Sequence, residues 1–321
     1  MSPHEPHGSS CPSLDIVIVN WNAGEQLRAC LASIPPAESG YVIERVVVVD
    51  NASSDNSLDG LDLLDLPLEI IRNTNNRGFG AACNQGAADS AADYLLFLNP
   101  DTRLDGSSLS RPISFMQEER NADIGVSGIR LVDEQGIACR TCTRLPTPRH
   151  FFAQMVGLDK LLPRRFPSHF MNEWDHSNSQ DVDHVMGAFY LIRTPIFRQL
   201  NGFDERFFVY VEDLDLSWRV KEAGHRIYFL ADARAYHKGG GTSDQVKAAR
   251  LFYSLRSRNL FGFKHFHWST ATFLMMGTLL IEPFARIALA AAKRSPSGIK
   301  ETLAGYAALW SAWPPWKTAN R

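Results

Sequence analysis

The chain of 321 residues is short of cysteine, of charge of one sign and of uninterrupted apolar sequence, and each shortage narrows what it can be. Its five cysteines are odd in number and scattered, so they write no disulfide framework and a reducing compartment is expected. Cys139 and Cys142 form one CxxC, but without a second pair or a surrounding βαβ pattern it does not read as a zinc or dithiol site. A net charge of −2 excludes the overall basic footprint of a protein whose main partner is nucleic acid. Met1 to Ser13 lack a basic start and an unbroken apolar core, because Asp15 and Asn20 interrupt the first apolar run, so a cytoplasmic location is expected. There is no internal repeat. A hydrophobic content of 45% with 21% charged residues leaves room for one large α/β domain and an appendage.

What is there is an alternation of strands and helices. Asp15–Trp21, Arg45–Asp50, Leu68–Arg72 and Tyr94–Leu98 are short apolar runs that read as strands of a parallel sheet. Helices are expected over Glu25–Ser33, with Leu27, Cys30, Leu31 and Ile34 on one face, and over Gly80–Ala92. Such alternation implies βαβ units, hence a mostly parallel central sheet flanked by helices. After Ile129 the pattern loosens. Arg140–Gln180 holds Pro, Arg and aromatic residues without periodicity and reads as a long insertion near the active face. Regularity returns with a strand at Gly187–Arg193, a short helix at Pro195–Leu200, a helix at Asp213–Ala223, a strand at Arg226–Leu230 and a helix over Gln245–Lys264.

Leu95-Leu96-Phe97-Leu98 runs straight into Asn99-Pro100-Asp101. Pro100 cannot continue a ladder, so Asn99 and Asp101 stand at the carboxyl end of a central strand, the edge where open α/β sheets bind ligands. A carboxylate there either closes a turn or offers a hard oxygen to Mg²⁺ or Mn²⁺ carrying phosphates. Asp50 ends its own strand in the same way, either aimed into the same crevice or capping a turn. Gly78-Phe79-Gly80 opens the alanine-rich helix. It is a weak dinucleotide fingerprint, with Cys83 where the third glycine would be; with Asn76 and Asn84 it reads as a close backbone approach to a nucleotide or as plain helix capping. Glu212-Asp213-Leu214-Asp215 puts three carboxylates at a helix start, where the dipole favours them. The aromatic run Phe207-Phe208-Val209-Tyr210 before it could also hold a base partly desolvated. His237, followed by Lys238 and Gly239-Gly240-Gly241, is a structural histidine or a metal ligand.

Taken in order, these segments resemble the family 2 glycosyltransferases with the GT-A fold, especially the bacterial rhamnosyltransferase-like branch. The resembling stretches are Ile18–Asn22, Val48–Asp55, Asn73–Asn84, Leu98–Thr102, Gly202–Phe208, Glu212–Asp215, His237–Gly241 and Arg258-Asn259, over roughly residues 14–262. The resemblance implies a GT-A-type nucleotide-diphospho-sugar transferase fold and an inverting transfer. The sugar, rhamnose or another hexose, would pass from a dTDP- or UDP-linked donor to a hydroxyl of a glycan or polyprenyl-linked acceptor. It implies donor-nucleotide binding by Asn20, Asn22, Asp50, Asn76, Gly78, Asn84, Asn99, Asp101 and Arg258. Gly187, Ala188 and Glu212 would lie on the acceptor and sugar side, Asp213 would be the catalytic base, and Asp101 with His237 would hold Mg²⁺ or Mn²⁺. Asn99 replaces the first acid of the family's Asp-x-Asp and leaves one charged ligand fewer. Inverting transfer needs a base on the acceptor face and charge stabilisation on the leaving-group face, which Asp213 and Asp101 would divide; a glycosidase would instead flank the bond with two carboxyls. A nucleotidyltransferase would want a basic glycine-rich loop after the first strand, and Trp21-Asn22-Ala23-Gly24 is neither. A non-catalytic sugar-nucleotide-binding protein would not need Asp101, Asp213 and His237 together.

The expected division is a tail over 1–13, a catalytic domain over 14–262 and a helical segment over 263–321. The donor half of the catalytic domain is placed at about 14–130 and the acceptor half at about 183–262. Thr270–Ala292 is the longest apolar stretch, interrupted by Glu282, Pro283 and Arg286. Its Leu, Ile and Phe residues favour insertion by roughly 2–5 kcal/mol in sum, and the acid and arginine oppose it by about 5–7 kcal/mol, so spanning loses. Amphipathic helices at the bilayer surface are expected, with Lys293, Arg294, Lys300, Trp310, Trp313 and Trp316 at an interface with anionic lipid; packing as a helical subdomain or as a homodimer contact is the alternative. A cytoplasmic protein held at the inner face of the cell membrane follows.

Overall fold

The computed structural model describes residues 11–36, 40–239 and 247–312. Gly240, Gly241, Trp313, Trp316, the start of the helix expected from Gln245 and most of the tail over 1–13 lie outside the described residues. The first half of the fold runs β1 (Ser13–Asn20), α1 (Glu25–Ala32), β2 (Val42–Asp50), β3 (Leu68–Arg72), α2 (Phe79–Ala87) and β4 (Tyr94–Leu98). β3, β2, β1 and β4 lie side by side and parallel, with Ile18 paired to Val48 on one side and Leu98 on the other. A parallel sheet must be covered on both faces, and the pleat sorts the side chains accordingly. Ile16, Ile18, Val46 and Val48 pack with Leu27, Cys30 and Leu31 of α1, whereas Val17, Val19, Val47 and Val49 pack with Ala82 and Cys83 of α2. α2 stops five residues before the expected Ala92, because Asp89 takes a left-handed φ of 58° and turns the chain toward β4.

The chain continues through β5 (Thr102–Leu104), α3 (Ser107–Gln117), β6 (Ile124–Val132), β7 (Cys142–Thr143), α4 (Pro148–Val156), α5 (Leu158–Leu161), β8 (Gln180–Val182), β9 (His184–Val185), β10 (Phe189–Arg193), α6 (Thr194–Gln199), α7 (Glu212–Glu222) and β11 (Arg226–His237). The sheet extends in the order β4-β10-β6-β11-β5, with β8 also on β11, making nine strands among the described residues. β10 is antiparallel to both its neighbours, so its first residue Phe189 pairs with Leu98, the last of β4. This inserted strand therefore starts where β1, β2 and β4 end. β11 outruns the expected Arg226–Leu230 because an irregularity between Leu230 and Arg234 bends it; its second half pairs with β5 and carries His237 opposite Thr102.

The insertion at 140–180 holds α4, which the sequence reading did not anticipate. Pro148 occupies the first turn, and Thr147 caps it in a reciprocal pair of hydrogen bonds with His150. Four helices follow: α8 (Lys247–His265), α9 (Trp268–Leu280), α10 (Glu282–Ala292) and α11 (Pro296–Ser311). α8 runs unbroken through residue 262, and its Leu255–Gly262 side is buried.

Gly86 of α2 lies on the sheet where an added Cβ would come within 2.5 Å of Val17 Cγ1 and 3.0 Å of Val49 Cγ2. Gly86→Val should therefore cost about 1–3 kcal/mol by overpacking. In urea unfolding the midpoint should fall with the slope unchanged; an unaltered midpoint would show that the layer yields more easily than this spacing allows.

Candidate active site

At the carboxyl ends of β1 and β2, Asn20, Asn22 and Asp50 come together. Asn20 Nδ2 lies 2.8 Å from Asp50 Oδ1 and 2.8 Å from Ser57 Oγ, and both residues are buried. Asp50 Oδ2 accepts from Ser53 N at 3.3 Å, while Asn22, in the left-handed region, accepts from Ser54 N at 2.7 Å. The side-chain oxygen of Asn20 is buried with no protein partner. Polar groups so placed face whatever enters the crevice at this sheet edge.

Gly78 is required by a close backbone approach, and the partner is the protein itself. A Cβ there would sit 2.3 Å from the Phe208 carbonyl oxygen, φ is +87°, and Phe79 N donates to that same oxygen at 2.7 Å. Asn76 Oδ1 accepts from Gly78 N at 2.9 Å. Asn84 uses both ends of its amide on Phe203, accepting from its N at 2.8 Å and donating to its O at 2.9 Å. The guanidinium of Arg258 is taken up by Glu282 and Thr278 among the C-terminal helices, so the structure does not bring it to the other donor-side residues.

Two pairs face each other across the start of β10. On one side Asn99 N donates to the Ala188 carbonyl at 3.1 Å, and two residues later Asp101 Oδ1 lies 3.3 Å from His237 Nε2, with only about a tenth of each side chain exposed (10% and 9%). On the other side Gly187 N donates to Asp213 Oδ2 at 2.8 Å, and Leu214 N donates to Asp213 Oδ1 at 2.8 Å. Asp213 keeps 18% of its side chain accessible. Among the described residues no group of three or more His, Cys, Asp or Glu gathers to cage a metal. One carboxylate oxygen and one imidazole nitrogen still suit a divalent ion that takes its other ligands from phosphate oxygens and water.

Residues 15–165 match the family model described as glycosyl transferase family 2. Over these residues the chain is similar to glycosyltransferase family 2. It is 24% identical over 260 residues to N-acetylglucosaminyl-diphospho-decaprenol L-rhamnosyltransferase of Mycobacterium tuberculosis, which covers 77% of this chain and 83% of that protein. Rhamnosyltransferase WbbL of Escherichia coli is 26% identical over 230 residues, covering 69% and 82%. A solved structure, mannosyltransferase PcManGT of Pyrobaculum calidifontis in complex with GDP-Man and Mn²⁺, superposes with a TM-score of 0.53 over 98% of this chain and 84% of its own, at 16% identity. The fold is of the GT-A type.

The electrostatics of the site separate its neighbouring carboxylates. Glu212 is fully buried with Oε2 unpartnered, and burial, with the charge of Asp213 beside it, pushes its carboxyl well above the usual range. Burial would also raise Asp215, but a hydrogen bond from His265 at 2.8 Å and the Arg219 and Lys264 charges outweigh that and hold it low. His184 packs behind the candidate base, its Nε2 3.8 Å from Asp213 Oδ2 and its Nδ1 3.0 Å from Ser217 Oγ, which in turn lies 3.1 Å from Tyr190 OH. Burial holds this imidazole below its usual range, hence neutral. Sequence reasoning passed over His184 and Ser217, since neither belongs to a motif; the only signal was the approach of Asp183-His184 to Gly187-Ala188.

Glu212 yields a pH test. Its folded pKa lies above its ordinary value of 4.5, so its contribution to stability is fully present below that value and is lost as pH rises through the folded pKa. Glu212→Gln keeps the shape of the protonated acid and removes the titration. Unfolding free energies measured between about pH 5 and pH 8 should shift progressively in favour of the variant as pH rises. A constant difference across that range would mean that Glu212 is ionised in the fold.

Proposed function

We propose that the protein transfers a sugar, rhamnose or another hexose, from a nucleotide-diphosphate donor to a hydroxyl of a polyprenyl-linked glycan, with inversion. One observation carries this reading: adjacent backbone groups, Gly187 N and Ala188 O, hold Asp213 on one side and the Asn99-Pro100-Asp101 turn on the other. A displacement in line needs a base and a leaving-group stabiliser on opposite faces of one reacting carbon. Asp213, fixed by two N–H donors and still accessible, receives the acceptor's proton. Asn20, Asn22, Asp50 and the Asn76–Gly78 turn line the nucleotide end. Asp101 and His237 would hold a divalent metal, which when bound neutralises charge on the departing diphosphate. The two named rhamnosyltransferases support the choice of sugar, and the decaprenol-linked substrate in one of those names supports the acceptor class.

A lipid-linked acceptor puts the enzyme at a membrane. Among the described residues no single helix is long and apolar enough to cross one; α9 and α10 meet the length and composition together, but are bent by 41°. Phe273, Met276, Leu280 and Phe284 follow one another at helical spacing along that pair and are exposed, which suits lying on a bilayer surface.

Asp213→Asn should lower the transfer rate roughly 10²–10⁴-fold while leaving donor affinity almost unchanged; transfer at a near wild-type rate would remove Asp213 from the mechanism. Asp101→Ala and His237→Ala should each weaken donor binding in Mn²⁺ or Mg²⁺ by calorimetry, and differ little from wild type after chelation. Wild-type activity that survives chelation unchanged would refute the metal.

A further inference from the structure

α4 and α9 pack in register. Phe152 stacks on Phe273 with ring centroids 6.1 Å apart, and Met155 lies against Gly277, where an added Cβ would be 2.5 Å from its Sδ. Three residues along α4 thus match four along α9, so the two helices run in the same direction. α10 also packs on α4, and α5 with the loop after it follows directly from the end of α4, where Gly157 turns the chain at a φ of 76°. The loop tip Lys160-Leu161-Leu162-Pro163-Arg164-Arg165 is exposed throughout, Leu161 at 75%, and the corner where α9 meets α10 exposes Leu280, Ile281 and Phe284, the last at 73%. The tip is not loose at its far end: Arg149 donates to the Arg165 carbonyl at 2.8 Å and stacks over Phe166.

We propose that this tip is the second half of a bilayer-docking face, Leu161 and Leu162 entering the headgroup–acyl boundary beside Phe284 while Lys160, Arg164 and Arg165 lie among anionic headgroups. The inference rests on the reading of α9 and α10 as a membrane surface. Charge complementarity selects the occupant. Every charged residue of the tip is positive in a chain whose net charge is −2, so positive charge is concentrated around two exposed leucines. That pairing of inserted apolar side chains and flanking cations is what an anionic interface attracts. The insertion would then set how deep the enzyme rides, and with it the height of the crevice above the polyprenyl phosphate.

Sedimentation of the full chain with vesicles tests this, using phosphatidylcholine with and without phosphatidylglycerol at low and high salt. Wild type should prefer the anionic vesicles and be partly released by salt. Arg164→Gln with Arg165→Gln should weaken anionic binding roughly 10–30-fold. Leu161→Asp with Leu162→Asp should weaken it at least about 10-fold, and Phe284→Asp should do the same. Thermal midpoints and donor binding should match wild type throughout, because the altered residues are exposed and lie away from the donor crevice. If Phe284→Asp abolishes binding while both tip variants bind like wild type, the tip proposal alone is overturned. If wild type ignores anionic vesicles, the membrane reading of α9 and α10 falls, and the tip with it.

Discussion

Two adjacent backbone groups at the start of β10 set the geometry of the crevice. Gly187 gives its N–H to Asp213 and Ala188 gives its carbonyl to Asn99, so the candidate base and the turn that carries Asp101 are both tied to one two-residue stretch of backbone. That linkage exists only because β10 runs against β4 and β6. A parallel strand in its place would begin at the opposite edge of the sheet, leaving the carboxyl ends of β1, β2 and β4 without it. A Cβ at 187 would lie 3.3 Å from Asp213 Oδ2, so any other residue there would ask the carboxylate to give by a few tenths of an ångström.

The same carboxylate is positioned from behind by strained backbone. Tyr210 and Val211 are consecutive non-glycine residues with φ of 67° and 73°, and a β-branched residue in that region is a genuine outlier. Each costs on the order of 1–3 kcal/mol, a strain that persists only where its surroundings over-determine it. Here they do: the Phe208 carbonyl accepts from Phe79 N, and the Val209 carbonyl accepts from Ser257 Oγ at 2.9 Å. Gly78 permits the first of these contacts. The glycine-rich turn thus acts on the far side of the crevice, by clamping the loop that launches α7 and its Glu212-Asp213 pair.

The central strands of the first half were legible in the sequence because a parallel sheet buried on both faces leaves unbroken apolar runs, and Tyr94–Leu98 falls where such a run falls. The ends of strands were legible too, since Pro100 and the polar residues after Asp50 cannot extend a ladder. α4 was not, because proline, arginine and aromatic residues hide a helix whose start is coded locally by Thr147, Pro148 and His150. β11 was cut short for a similar reason: Ala231-Asp232-Ala233 has poor strand propensity, and pairing with β6 and β5 beyond it extends the strand. Side-chain partnerships were the least legible. Nothing in sequence spacing says that Asn84 will hold the Phe203 backbone, or that Arg258 will turn to Glu282, since those partners lie distant along the chain.

Glu282 shows how a residue changes meaning between the two levels. In the sequence it counts against a membrane span. In the structure it is 1% exposed and accepts from Arg258 and Arg286, while Thr278 accepts from Arg258 at 2.9 Å. Breaking a buried pair of this kind by removing one member costs about 3–5 kcal/mol, so α10 is fastened to α8. α8 is fastened in turn to α7, because Lys264 and His265 both bond Asp215 of that helix. A line of buried charge pairs therefore runs from the exposed apolar stripe of α9 and α10 to the helix that carries Asp213. With that stripe on a bilayer, as proposed, the linkage would hold the candidate base at a fixed height above it.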